Sequence, residues 1–465
     1  MKSINQYIRM ALSVAFCMGA LCSCKKYLDI SLPKDKVTDE AVFSNATNTL
    51  AAVNGLYTFA FKQSNFLNYQ GDELLGISAD EFVFGNDQYD EFKNNTLSTD
   101  NKYVLATWQT FYSIIYHANA IIENVPGSPV GDSLKSVFVA EAKVFRAYCH
   151  LYLACYFGDV PLITTTKITV TASEGRTPKS EVFAAVVADL RDAEAALPAG
   201  TVRNGRVNKY MATALLARVY LYQRNWADAE AKATSLISNT SFSLVPNCNG
   251  VFLRGSKEAI WQINTAGGTA DNYTYFAGSF VPAPTATASS LNSLAILRPE
   301  LYNAFETGDK RYTAWVGYNN TITPLTPFYF DYKYKQLSTP TSSSLIEDYM
   351  LLRLAEQYLI RAEARAQQQN LNGAIDDINV IRTRAGLPSL AYGLSQNNIL
   401  LAIEKERKLE LFGEGYGHRW IDLIRTGRAD ALLGAAKPGT WKSAAALFPI
   451  PAAEILLNPN LTPNP

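Results

Sequence analysis

The chain has 465 residues, with 42 Lys and Arg balanced by 42 Asp and Glu, and 48% of it is hydrophobic. A formal net charge of zero supplies neither a basic excess for nucleic acid nor an acidic tail for a basic partner. The length is large for a single core but suits stacked helical hairpins, in which each unit touches only its neighbours.

Lys2 and Arg9 precede an apolar run from Met10 to Leu21, followed by Leu21-Cys22-Ser23-Cys24. The run is too short to span a bilayer and has the build of a secretory signal. Its end matches a lipoprotein acylation site: an aliphatic residue, two small ones and a cysteine. Residues 1–23 are therefore expected to be removed as a lipoprotein signal peptide. Cys24 is expected to be lipidated, palmitate included, each buried methylene adding about 0.8 kcal/mol of anchorage. Lys25–Leu56 reads as a polar tether leading into a helix entered through Ser44 or Thr47. Cys149, Cys155 and Cys248 read as free, buried thiols, although an exported compartment leaves a bridge to Cys248 open.

Asn65–Lys102 is dense in Asp, Asn and Gly, with Phe82, Phe84, Tyr89 and Phe92 interleaved, and reads as loop-rich. Rings among turn residues are less easily explained by core packing than rings on a helical stripe. Phe84, Asn86 and Tyr89 are accordingly candidate ligand contacts. The helical pattern resumes at Tyr103, closes at Pro126-Gly127, and runs again from Ser133 to Gly158.

A repeat appears next. Ala217 and Ala229 are twelve residues apart in one alanine-rich hairpin, and Ala362 and Ala374 repeat the interval in another. Tetratricopeptide hairpins place small residues where their two helices approach. In the second hairpin Leu352, Ala355, Leu359, Ala362 and Ala366 form the stripe of a helix read from Tyr349. Its partner carries Ala374, Ile378, Ile381 and Ala385 and stops at Gly386, with Pro388 beyond.

Asn264–Ser344 is the second irregular stretch, and long irregular segments inside a domain are usually functional surfaces or links. Tyr273, Tyr275, Phe276, Trp315, Tyr318, Phe328 and Tyr329 offer flat apolar faces, and Asp271, Asn272, Asn319 and Asn320 lie beside them. A sugar presents a C–H face and a rim of hydroxyls, which such a platform suits without any chemistry. Tyr273, Tyr275, Trp315 and Tyr318 are the candidates here.

Catalytic patterns fail. Glu406, Glu410 and Glu414 recur every four residues beside Arg407, with Arg353, Glu356, Arg361 and Glu363 on the preceding hairpin, and read as ion pairs that fix packing. Arg419, Asp422 and Arg425 are expected to pair locally. His117, His150 and His418 are scattered, and there is no zinc-ligand spacing, phosphate loop or G-x-S-x-G. No enzyme, metal or cofactor is expected.

Glu141-Ala-Lys-Val-Phe-Arg-Ala-Tyr and Tyr156-Phe-Gly-Asp-Val-Pro-Leu162 resemble a hallmark of the SusD/RagB family of nutrient-binding outer-membrane lipoproteins. In the family's order follow Glu258-Ala-Ile-Trp261, Gly308-Asp-Lys-Arg311, Leu352-Arg-Leu-Ala-Glu356, Glu406-Arg-Lys-Leu-Glu410, His418 to Arg425 and Phe448-Pro-Ile-Pro451. Gly415-Tyr-Gly417 departs from the pattern and is expected to be a local loop change without functional weight. The resemblance implies an all-α, tetratricopeptide-like helical repeat scaffold with a loop-rich insertion face. It implies an N-terminal part over 24–255 and a C-terminal part over 256–465. It further implies a lipid-anchored protein on the outer membrane, facing the cell surface, that binds oligosaccharide or another nutrient. Such a protein delivers its ligand to a SusC-like TonB-dependent transporter, and stacking aromatics near Tyr89, Tyr275 and Trp315 would hold it. The alternative is a tetratricopeptide-type interaction scaffold or peptide-binding lipoprotein.

Overall fold

A computed structural model describes residues 39–61, 70–200, 205–263, 274, 276–283, 294–320, 327–338 and 346–464. The expected signal segment, Cys24, the tether up to residue 38, Tyr273 and Tyr275 lie outside these residues. No described helix is long and apolar enough to cross a membrane.

Helix α1 (Ala46–Ala60) is entered through Asn45, whose side chain accepts the Asn48 N–H at 2.8 Å, rather than through Ser44 or Thr47. The loop reading of Asn65–Lys102 needs a larger correction. Helix α2 (Gly71–Ser78) lies within it and every one of its residues is buried, Asp72 and Glu73 included. Helices α3 (Lys102–Asn124) and α4 (Asp132–Phe157) follow, the latter closed by Gly158 at φ 77°. Then come α5 (Lys179–Ala196), α6 (Lys209–Tyr222), α7 (Trp226–Ile237), α8 (Leu354–Gln367), α9 (Leu371–Arg384), α10 (Gln396–Leu411) and α11 (His418–Arg425).

From α3 to α8 each helix packs on the next, and α8 also packs on α9 and α10. The crossings work because the facing residues are small: Ala217, Ala229, Ala362 and Ala374 are fully buried. This is the tetratricopeptide-like stack; Cys149 and Cys155 are free thiols buried in it, and Cys248 is a free, buried thiol on the turn Cys248–Gly250 outside it.

Two small antiparallel sheets are added to the helices. Strand β2 (Ala259–Ile263) pairs with β6 (Tyr349–Arg353), so α8 begins at Leu354 and not at Tyr349. Both strands are buried throughout, and an apolar run buried on two faces carries no alternation to separate it from a helix. The other sheet has the order β1 (Phe82–Phe84), β3 (Ala295–Leu297), β5 (Phe328–Asp331), β4 (Val316–Asn319).

The centre is charged. Arg353 donates to Glu410 at 2.6 Å and Glu414 at 2.7 Å, and Arg311 donates to Asp309 and Glu406 at 2.8 Å each. Arg384 bridges Glu258 and Glu410, and Lys333 reaches Glu414 at 2.5 Å. Burial alone would raise the Glu410 carboxyl, but Arg384, Arg353 and Arg311 together hold it well below the usual carboxylate range. These are the ion pairs the sequence implies, with two differences. Glu414 lies beyond the end of α10, and Arg419 pairs with Glu404 at 3.1 Å while Arg425 takes Asp422 at 2.7 Å.

The Gly415-Tyr416-Gly417 loop ties this centre to the N-terminal helices. Tyr152 and Tyr156, one turn apart on α4, donate to the carbonyls of Gly415 at 3.1 Å and Tyr416 at 2.7 Å. The Tyr416 N–H donates to Asp72 on α2 at 2.6 Å. Gly417 has φ 82°, and a Cβ there would sit 2.7 Å from Leu75, so the position takes only glycine without a shift.

Candidate functional site

The four-stranded sheet collects residues from both irregular stretches, with β1 at one edge and β4 at the other. Three strand spacings separate those edges, about 14 Å. In the β4–β5 hairpin, Gly317 stands opposite Phe330 and Tyr318 opposite Tyr329. A Cβ on Gly317 would come within 2.2 Å of the Phe330 ring, so the ring lies across the glycine on the inner face. The period of two then turns Tyr318 and Tyr329 outward together.

Tyr329 is the hub of a ring cluster. Tyr318 lies 5.0 Å from it and is 51% exposed. Tyr302, at the end of the short helix Pro299–Tyr302, lies 4.1 Å away with its plane tilted by 32°. Tyr312, on the short helix Lys310–Trp315, is 6.5 Å away. Burial first, and then its hydrogen bond with Tyr329, raises the Tyr312 hydroxyl above its ordinary range. Tyr302, Tyr312 and Tyr329 are half-buried, which holds their rings in place while part of each faces solvent. Nothing in the sequence reading singles out Tyr302 or Tyr312, because each sits on a helix of a few residues with no stripe of its own.

The other candidates are placed differently. Phe84 is buried on β1 against Tyr89, whose ring is 4.6 Å away. Tyr89 is buried between Phe84 and Tyr103, its hydroxyl 3.4 Å from Glu73. Asn86 caps the turn before Tyr89, accepting the Gln88 N–H at 2.9 Å. Trp315 is fully buried, and its indole N–H donates to the Cys248 carbonyl at 2.9 Å. Its ring faces Lys333 at 4.9 Å, Arg384 at 5.4 Å and Arg353 at 5.8 Å. The expectation that Phe84, Tyr89 and Trp315 offer open stacking faces is thus corrected. Trp315 packs its π face against the buried cations, and the other two fill the space beneath the sheet edge.

The arrangement is one that can grip. Aromatic faces with amide and hydroxyl neighbours bind a C–H surface, while Glu406 and Glu410 in the charged centre are taken up by arginines.

Comparison with known proteins bears on the family and the fold. Residues 316–465 match the SusD family, and residues 26–221 match a family described as "Starch-binding associating with outer membrane". SusD-like protein P2 of Formosa agariphila is 26% identical over 93% of this chain and 94% of its own length. A SusD superfamily protein from Bacteroides vulgatus shares the fold, with TM-score 0.79 and 22% identity over 91% of this chain and 99% of that one. A laminarin-binding SusD-like protein superposes with TM-score 0.75 and 26% identity, covering 91% of this chain and all of that one. With its helical stack, its motif order and matches in both halves, the chain belongs to the SusD-like family of glycan-binding proteins.

Proposed function

We propose that this protein is a cell-surface lipoprotein that captures an oligosaccharide and passes it to a SusC-like TonB-dependent transporter in the outer membrane. The Tyr302–Tyr318–Tyr329 cluster is the platform, and it is the observation that carries the binding part of the reading. The name of the laminarin-binding relative supports a β-glucan as the first ligand to try. The description of the family matched by residues 26–221 supports the outer-membrane location. Tyr273 and Tyr275 remain in the proposed ligand set beside Tyr318, and Cys24 remains the proposed lipid attachment.

A partner protein is supported by a different surface. Leu457 is 78% exposed and Ile168 is 72% exposed, and with Tyr112 and Tyr116 they line a groove of about 630 Å³. Large side chains left open together are the usual mark of a protein interface. The protein binds and does not catalyse.

Calorimetric titration of the purified protein with laminarin, starch and a panel of other oligosaccharides tests the binding. Saturable binding of one glycan, lost in Tyr329→Ala, is the expected outcome. Absence of binding to every glycan overturns the sugar reading. Co-purification with a co-expressed SusC-like transporter, weakened by Ile168→Asp with Leu457→Asp, tests delivery.

A further inference from the structure

Away from the tyrosine platform, a cavity of about 480 Å³ opens between α8, α10 and α11 beside the start of α7. Arg224, Arg407, Arg419, Arg425 and Arg428 line it, against three carboxylates, Glu363, Glu404 and Asp422. Two positive charges are therefore in excess. Arg425 is satisfied, donating to Glu363 at 2.6 and 2.7 Å and to Asp422 at 2.7 Å. Arg419 and Arg428 share Glu404, each at 3.1 Å.

Arg407 is different. Its side chain is 3% exposed, and its Nε donates to Asp422 at 2.6 Å. Neither Nη1 nor Nη2 has a partner among the described residues, and neither has the Nε of Arg419. Buried donors are nearly always paired, and a planar guanidinium left half-paired matches an oxyanion in two-pronged geometry. Leu400, Leu401 and Ile403 give the same cavity an apolar wall.

We infer that this cavity is a binding site for a small organic carboxylate. The carboxylate lies in the free fork of Arg407 next to Arg419, and the apolar body lies along the leucines. This site is independent of glycan binding and needs no change in the platform.

The test is calorimetric titration of the whole protein with hexanoate, with acetate and sulfate as comparison probes. Hexanoate is expected to bind saturably and more tightly than acetate, and sulfate to compete with it. Arg407→Lys keeps the charge but removes the fork, and should weaken hexanoate roughly tenfold or more, the scale of a charge-assisted hydrogen bond. Arg419→Gln, closer to the surface, should weaken it less and guards against misfolding of the first variant. Glycan affinity should stay unchanged in both, so failure here is separable from failure of the sugar reading. No saturable binding of hexanoate, or equal binding by folded Arg407→Lys and Arg419→Gln, overturns the proposal.

Discussion

Arg218 on α6 and Glu356 on α8, both sealed from solvent, are joined by two hydrogen bonds of 2.7 and 2.6 Å. The remaining fork of Arg218 donates to Tyr152 at 2.6 Å, which in turn holds the Gly415 carbonyl. One guanidinium thus links α4, α6, α8 and the glycine loop. Arg218→Met leaves a buried carboxylate without its partner, and should cost about 3–5 kcal/mol in urea unfolding. Adding Glu356→Leu should recover much of that loss, because the uncompensated charge is then gone.

For ligand binding, Tyr329 is expected to matter more than Tyr318, since it touches Tyr302, Tyr312 and Tyr318, whereas Tyr318 touches Tyr329 alone of these. Tyr329→Ala should weaken glycan binding by about tenfold or more, as central aromatic anchors do. Tyr318→Ala should weaken it by less. Thermal unfolding should move little for Tyr318→Ala, because half of that side chain is already in water.

Trp315 makes the opposite prediction. Trp315→Phe leaves the Cys248 carbonyl without its donor and should lower stability by about 1–3 kcal/mol. Glycan affinity of the folded fraction should stay within about twofold of the parent, since the indole does not reach the platform's outer face. Chemical denaturation beside calorimetry separates the two effects.

Burial pushes the Glu73 carboxyl up to about 8, the Tyr89 hydroxyl opposing it only in part. In the unfolded chain the same group titrates near its ordinary value of 4.5. Below that value both states hold the proton and Glu73 adds no pH dependence. Between about 4.5 and 8 the folded state keeps a proton that the unfolded state has released, so stability falls as pH rises. The loss should total about 2–5 kcal/mol. Glu81 and Asp331, each raised by burial to about 7, act in the same direction. Glu73→Gln should flatten the profile and be more stable than the parent at pH 8, as read by unfolding across that range.

Gly417→Ala should destabilise the protein, because a methyl there meets Leu75 and the backbone sits at positive φ. A loss of about 1–3 kcal/mol is expected. The loop that departs from the family pattern thus has structural weight, read as a lower unfolding midpoint.

The hairpins were legible because each carries its own record: Ala362 and Ala374 state where two helices touch. The strand Tyr349–Arg353 was not, because burial on both faces erased its period. Helix α2 hid behind Asp72 and Glu73: Asp72 is met by Tyr349 and Tyr416, far away in the chain, and Glu73 by Tyr89 of its own irregular stretch. Trp315 misled because two of the three cations it faces, Arg353 and Arg384, come from other segments. Tyr318 and Tyr329 could be read as surface rings, but Tyr302 and Tyr312 join them only through the fold.

Glu410, Arg311, Arg353 and Arg384 are almost entirely out of contact with water. Dissolved ions screen exposed charges over a Debye length of about 8 Å at physiological salt, but they screen a sealed lattice much less. The frame should therefore keep its stiffness from dilute medium to brine, while the surface pairs come and go, and a ligand held on uncharged rings would meet the same shape in either.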